Sequence, residues 1–231
     1  MKSFNQNEFN EFIIEQDVVG FFEDAIELKS GRMANWYINW RKVSEDVYLF
    51  DKLTDFIISF VESINLKPDC FCGVPEGATK LSVISQFKWA KMQPNYGLGV
   101  YPLAMARGHI KEHGDVKDQY FIGTPKGRTI ILEDVTTTGE SLLRTVDKLL
   151  KMNVIIIGCV GITDRNELRD DKKSVKEIIA ERGINYYSMS NAIDILPGAY
   201  EKAQPEKNII KQVESYFERY GTREIKFQCL E

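Results

Sequence analysis

Thr129-Ile130-Ile131-Leu132-Glu133-Asp134-Val135-Thr136-Thr137-Thr138-Gly139-Glu140-Ser141 is the stretch on which the reading of this chain turns. Its first four residues are apolar or β-branched, and charge and then small hydroxylated residues follow, the pattern of a buried parallel strand entering a tight turn. Beyond the turn, Leu142, Leu143, Val146, Leu149 and Leu150 share one helical face, with Ser141 as the expected N-cap. The unit is strand, turn, helix.

A Thr-rich turn with a glycine offers hydroxyls and freely placed backbone N–H groups at the positive end of a helix, which suits a phosphate monoester. Glu133 and Asp134 would repel that phosphate, so they should face something else, and vicinal sugar hydroxyls that donate to carboxylates are the natural partners. A sugar 5-phosphate satisfies both halves. Neither G-x-x-x-x-G-K-[ST] nor G-x-G-x-x-G occurs, so nucleoside triphosphate and dinucleotide loops do not compete.

Composition sets the bounds. The 231 residues suit one domain with attachments, and 43% hydrophobic residues can build a sizeable core. A formal net charge of −4 leaves no general electrostatic footprint for nucleic acid or an acidic membrane. The four cysteines, at 70, 72, 159 and 229, form no C-x-x-C pair, and with only two histidines present a reducing cytoplasm is expected rather than disulfides or zinc. The polar N-terminus lacks a signal-peptide core, and no apolar run approaches a membrane span.

Glu133 to Ser141 resembles the phosphoribosyl pyrophosphate (PRPP) motif of type I phosphoribosyltransferases, and three further stretches resemble the orotate phosphoribosyltransferases among them. The first is Leu28-Lys29-Ser30-Gly31-Arg32 followed by Trp36-Tyr37-Ile38-Asn39-Trp40, read as a hairpin and similar to the N-terminal hood of that family. The second is Arg107, Lys111, His113 and Gly114, in register with the family's mobile catalytic loop, although Gly108 stands where a second lysine is usual. The third is Asp164-Arg165-Asn166-Glu167 after the buried strand of Val154 to Ile162, where the family's arginine recognises the carboxylate of orotate. Cys72-Gly73-Val74-Pro75 is also similar to the family's pyrophosphate loop, with Gly77 in place of a lysine that many bacterial members carry and Lys80 nearby as a substitute.

The resemblance implies an α/β fold of the type I phosphoribosyltransferase kind, a mostly parallel central sheet flanked by helices with a small N-terminal hood. A helical lead-in is expected over residues 1–24 and the main domain over 25–196, with the hood at about 25–45 and the mobile loop at about 106–119. Residues 197–231 read as a helix and a last strand beyond the resemblance, without assigned chemistry. The implied activity is transfer of ribose 5-phosphate from PRPP to orotate in pyrimidine (UMP) biosynthesis. Glu133, Asp134, Arg107, Lys111 and His113 are then the catalytic set. Val135, Thr136, Thr137, Thr138, Gly139, Glu140, Ser141, Gly77 and Lys80 bind PRPP, and Lys29, Tyr37, Ile38, Thr137 and Arg165 bind orotate. Mg²⁺ is expected on PRPP, with no protein ligands of its own, and the resemblance implies a homodimer sharing the mobile loop. The rival readings are a phosphoribosyltransferase for another base and a non-catalytic PRPP-binding regulator.

Overall fold

The computed structural model describes residues 3–109 and 119–227. Four parallel strands form the central sheet: β3 (Cys70–Gly73), β6 (Arg128–Thr136), β7 (Ile155–Asp164) and β8 (Tyr186–Asn191), in the order β3-β6-β7-β8. Because all four run the same way, their carboxyl ends share one edge, where ligands bind in open α/β sheets. Strand β6 is longer than the expected four-residue core and carries Glu133, Asp134 and Val135 inside the ladder, with Glu133 opposite Gly161 and Thr136 opposite Asp164.

The sheet is covered on both faces, which explains its unbroken apolar runs. Phe71, Ile130, Leu132, Val160 and Ile162 enter one core, and Cys72, Ile131 and Cys159 enter the other, the period-two alternation of a pleated strand. Helix α5 (Glu140–Lys151) fills the second core with Leu142, Leu143, Val146 and Leu149. The expected cap is corrected here: Gly139 is the N-cap in the left-handed conformation, and Ser141 lies inside the first turn.

On the first core lie α1 (Gln6–Glu15), the antiparallel hairpin β1 (Val19–Glu27) and β2 (Met33–Ile38), the one-turn α2 (Arg41–Ser44), and α3 (Val47–Ser63). The lead-in is therefore one helix and the start of a strand, since β1 already begins at Val19. Trp36, Ile38 and Trp40 are all buried, and Trp40 Nε1 donates to Thr163 Oγ1 at 3.1 Å, pinning the hairpin to β7. Helix α4 (Thr79–Met92) follows β3, and the two-residue strands β4 (Met105–Ala106) and β5 (Phe121–Ile122) pair antiparallel on either side of 110–118.

Helix α6 (Val175–Ala180) opens on a Ser174/Glu177 capping box. Helices α7 (Ala192–Ala203) and α8 (Lys207–Tyr220) close the chain, and Ile210, Val213, Tyr216 and Phe217 of α8 are buried against the hairpin side. The last strand expected over 224–228 does not form among the described residues, 224–227, although Ile225 and Phe227 are buried.

Candidate active site

The carboxyl edge of the sheet collects the loops singled out by sequence. Glu133 is buried at the end of β6, and burial pushes its carboxyl well above the usual range; the neighbouring Asp134 charge adds to this and the Lys29 ammonium opposes it. Asp134 is half-buried and packs against the backbone of the 74–78 loop, so closely that a Cβ on Gly77 would lie 2.2 Å from Asp134 Oδ2. Gly77 is thus required by a close approach. The same loop contains a cis peptide between Pro75 and Glu76.

Val135, Thr137, Thr138 and Ser141 are half-buried, Thr136 is buried and Glu140 is exposed, so the turn presents hydroxyls and the first amides of α5 at its rim. Gly139 at φ +70° has no side chain to meet Val175, whose Cγ1 would lie 2.9 Å from a Cβ there. Lys29, exposed at the tip of the hairpin, reaches across 112 residues of sequence to donate from Nζ to Ser141 Oγ at 3.0 Å. One ammonium therefore stands between the carboxylate pair and the hydroxylated turn.

Arg165 follows β7, and its backbone N–H donates to Thr136 O at 2.9 Å, locking it to the turn. Its side chain is 1% exposed. Nε donates to Glu167 Oε1 at 2.6 Å, and the guanidinium lies 3.6 Å from the centroid of the Trp36 ring. Nη1 and Nη2 find no hydrogen-bond acceptor among the described residues. Two buried cationic N–H groups without acceptors are costly, and a carboxylate is the ligand that a guanidinium fork fits best. Both nitrogens are closed to solvent, so a ligand reaches them only when a covering side chain moves.

The structure does not gather every expected residue. Ile38 is buried and Tyr37 half-buried on the hairpin. Lys80 donates from Nζ to Ser44 O at 3.2 Å, which engages it with the end of α2. Arg107 stands at the foot of the β4–β5 ribbon with its backbone N–H on Tyr120 O at 2.9 Å. Lys111 and His113 lie outside the described residues. Gly108 faces the pyrophosphate-like loop, since a Cβ there would meet Glu76 Oε1 at 2.8 Å.

Three residues escaped the sequence reading. Arg32 donates to Glu167 Oε2, to the Leu168 carbonyl and to Asp170, joining hairpin to site. Arg169 donates from Nη1 to Thr138 O at 2.6 Å and so supports the hydroxylated turn. Asp164 accepts from the Asn166 N–H at 2.8 Å, and burial lifts its carboxyl to about 6. Arg32 and Asp164 had signals in the Lys-Ser-Gly-Arg and Asp-Arg-Asn-Glu stretches, although neither is given a role there; Arg169 had none. Among the described residues no three His, Cys, Asp or Glu side chains are grouped to hold a metal ion, and no helix is long and apolar enough to cross a membrane.

A parallel sheet with this hood, acid pair and hydroxylated turn is a type I phosphoribosyltransferase fold. No protein-family model matches the chain. In sequence it is similar to orotate phosphoribosyltransferases. It is 25% identical over 175 residues to the orotate phosphoribosyltransferase of Caenorhabditis elegans, covering 76% of this chain and 70% of that one. With the orotate phosphoribosyltransferase of Nitrosococcus oceani it shares 27% identity over 228 residues, 97% of this chain and 99% of the relative. The crystal structure of orotate phosphoribosyltransferase from Francisella tularensis superposes with a TM-score of 0.66 at 21% identity, covering 93% of this chain and all of that one, which supports the fold. With that relative of Nitrosococcus oceani the similarity runs over nearly the whole chain.

Proposed function

We propose that this protein transfers ribose 5-phosphate from PRPP to orotate, giving orotidine 5-monophosphate and pyrophosphate in pyrimidine biosynthesis. The observation that carries the reading is Arg165, a buried guanidinium whose Nη1 and Nη2 lack acceptors beside the Thr-rich turn. A base bearing a carboxylate supplies the missing acceptor; a neutral base does not.

The 5-phosphate sits on the amides and hydroxyls of Val135 to Ser141 at the N-terminus of α5, where backbone N–H groups are unpaired and the helix dipole favours an anion. The ribose hydroxyls donate to Glu133 and Asp134. Orotate lies against Lys29, Tyr37, Ile38 and Thr137 with its carboxylate on Arg165. In the reaction a bond forms from a ring nitrogen of orotate to C1 of the ribose as that nitrogen gives up its proton to solvent or to the departing pyrophosphate, and the C1–O bond to pyrophosphate breaks with its electron pair leaving on pyrophosphate. Positive charge that grows on the ribose ring is stabilised by the acid pair. Arg107 and Lys111 bring cations to the departing pyrophosphate, His113 donates a hydrogen bond or proton to it, and the loop of Gly77 lets backbone amides approach it. Mg²⁺ enters as part of the substrate, on the pyrophosphate of PRPP.

We further propose a cytoplasmic homodimer. Ile84, Phe87 and Met92 on α4, with Tyr96, Leu98 and Leu103 in the segment after it, are exposed apolar side chains that a second copy would cover. Loss of orotate absorbance on mixing protein with orotate, PRPP and Mg²⁺ tests the reaction. Turnover that collapses in Arg165→Ala is expected; turnover insensitive to that change contradicts the carboxylate contact.

A further inference from the structure

The plane in which Arg165 presents its fork is set by aromatic rings rather than by hydrogen bonds. Glu167 accepts from Nε, and that one bond does not by itself set the plane of the guanidinium. Trp36, fully buried, lies against the guanidinium face at 3.6 Å from ring centroid to Cζ. Phe217 of helix α8 stacks with Trp36, with ring centroids 5.4 Å apart and an interplanar angle of 25°, while Tyr216 meets the same indole edge-on at 6.1 Å and lies farther from the guanidinium than Trp36 does, 5.8 Å from ring centroid to Cζ. The indole is thereby held from the C-terminal helix, and it holds Arg165 from the hood.

We infer that Trp36, backed by Phe217, is the positioning residue that gives this protein its preference for an anionic base. Resting on the proposed orotate activity, the inference adds that the hood and the C-terminal helix jointly orient Arg165. A flat cation held against an indole face in a site closed to water is favoured by the ring quadrupole, and the contact also fixes which way Nη1 and Nη2 point. An aliphatic side chain can fill part of the volume but supplies neither effect.

The test compares wild type, Trp36→Leu, Trp36→Phe, Arg165→Ala and the Trp36→Leu/Arg165→Ala double variant, with two readouts. In steady-state kinetics, Trp36→Leu is expected to raise KM for orotate about tenfold or more while KM for PRPP stays within twofold. Trp36→Phe should recover most of the loss, and Trp36→Leu should add little in the Arg165→Ala background. In NMR of the ligand-free protein, the Arg165 Nε–H signal, assigned by its absence in Arg165→Ala, should be sharp in wild type and in Trp36→Phe and broadened in Trp36→Leu. Equal losses for orotate and PRPP, or full additivity with Arg165→Ala, would overturn the inference. So would an Nε–H signal unchanged in Trp36→Leu. A wild type that does not turn over orotate defeats the proposed function and the base preference together, and the NMR comparison then decides the positioning role by itself.

Discussion

Arg32 Nη1 stands 2.8 Å from Glu167 Oε2 in a pair that is almost closed to solvent on both sides. The other oxygen of Glu167 accepts from Arg165 Nε, so one carboxylate ties the hood to the arginine at the site's edge. Removing Arg32 leaves Glu167 Oε2 and the Leu168 carbonyl without their buried donor, while Arg165 still holds Oε1. Arg32→Ala is therefore expected to lower unfolding free energy by roughly 3 kcal/mol, measured by urea denaturation without ligands. A loss within experimental error would show that water reaches Glu167 and that the pair is not a tie.

Lys29 makes a different case. It is exposed, and among the described residues its hydrogen bond is to Ser141 Oγ, so its removal should leave the melting temperature nearly unchanged. Its place between Glu133 and the hydroxylated turn is the ground on which it is proposed to bind anionic substrates. Lys29→Ala should reduce kcat/KM for orotate by about 10- to 100-fold, and a variant as active as wild type would remove Lys29 from the site.

The pyrophosphate-like loop gives a prediction of opposite sense to family analogy. A lysine at position 77 is common among the bacterial proteins that this stretch resembles, yet here a Cβ at 77 would occupy the space of the Asp134 carboxylate. Gly77→Lys should displace Asp134 and depress turnover rather than raise it, read as kcat at saturating PRPP. A gain in kcat would mean that Asp134 moves freely and does not hold the ribose.

Asp164 sets a pH dependence. Its carboxyl is lifted by burial from 3.8 to about 6 in the folded protein. The folded state binds this proton more tightly than the unfolded chain does, so the stability it contributes is present below the ordinary carboxylate range and is lost as pH rises through 6. Asp164→Asn, which retains an acceptor for the Asn166 N–H, should gain roughly 2 kcal/mol relative to wild type between pH 4 and pH 8. Parallel stability curves for the two proteins over that range would contradict the assignment.

The central sheet was legible because its strands are buried on both faces and read as continuous apolar runs, and because the Glu-Asp pair and Thr-rich turn mark the end of β6. The hairpin was legible from Ser30-Gly31 and the alternating aromatics. What escaped is carried by contacts between distant parts of the chain. The buried aromatic face of α8 predicts that the helix covers something, but not that Phe217 and Trp36 meet or that Arg165 lies beneath them. The N-cap was misplaced because Ser141 is a better capping residue than glycine by type, whereas the turn needs a left-handed residue against Val175, which only Gly139 satisfies without strain.

The central claim is that the anionic base and the pyrophosphate exchange places at one carbon. Phosphorus NMR of the protein with PRPP and Mg²⁺, recorded before and after orotate is added and again with uracil in its place, follows that exchange directly. Orotate should convert the PRPP resonances into free pyrophosphate and a new phosphate monoester, while uracil leaves them almost unchanged. PRPP resonances that persist with orotate, or that convert as readily with uracil, would contradict the account.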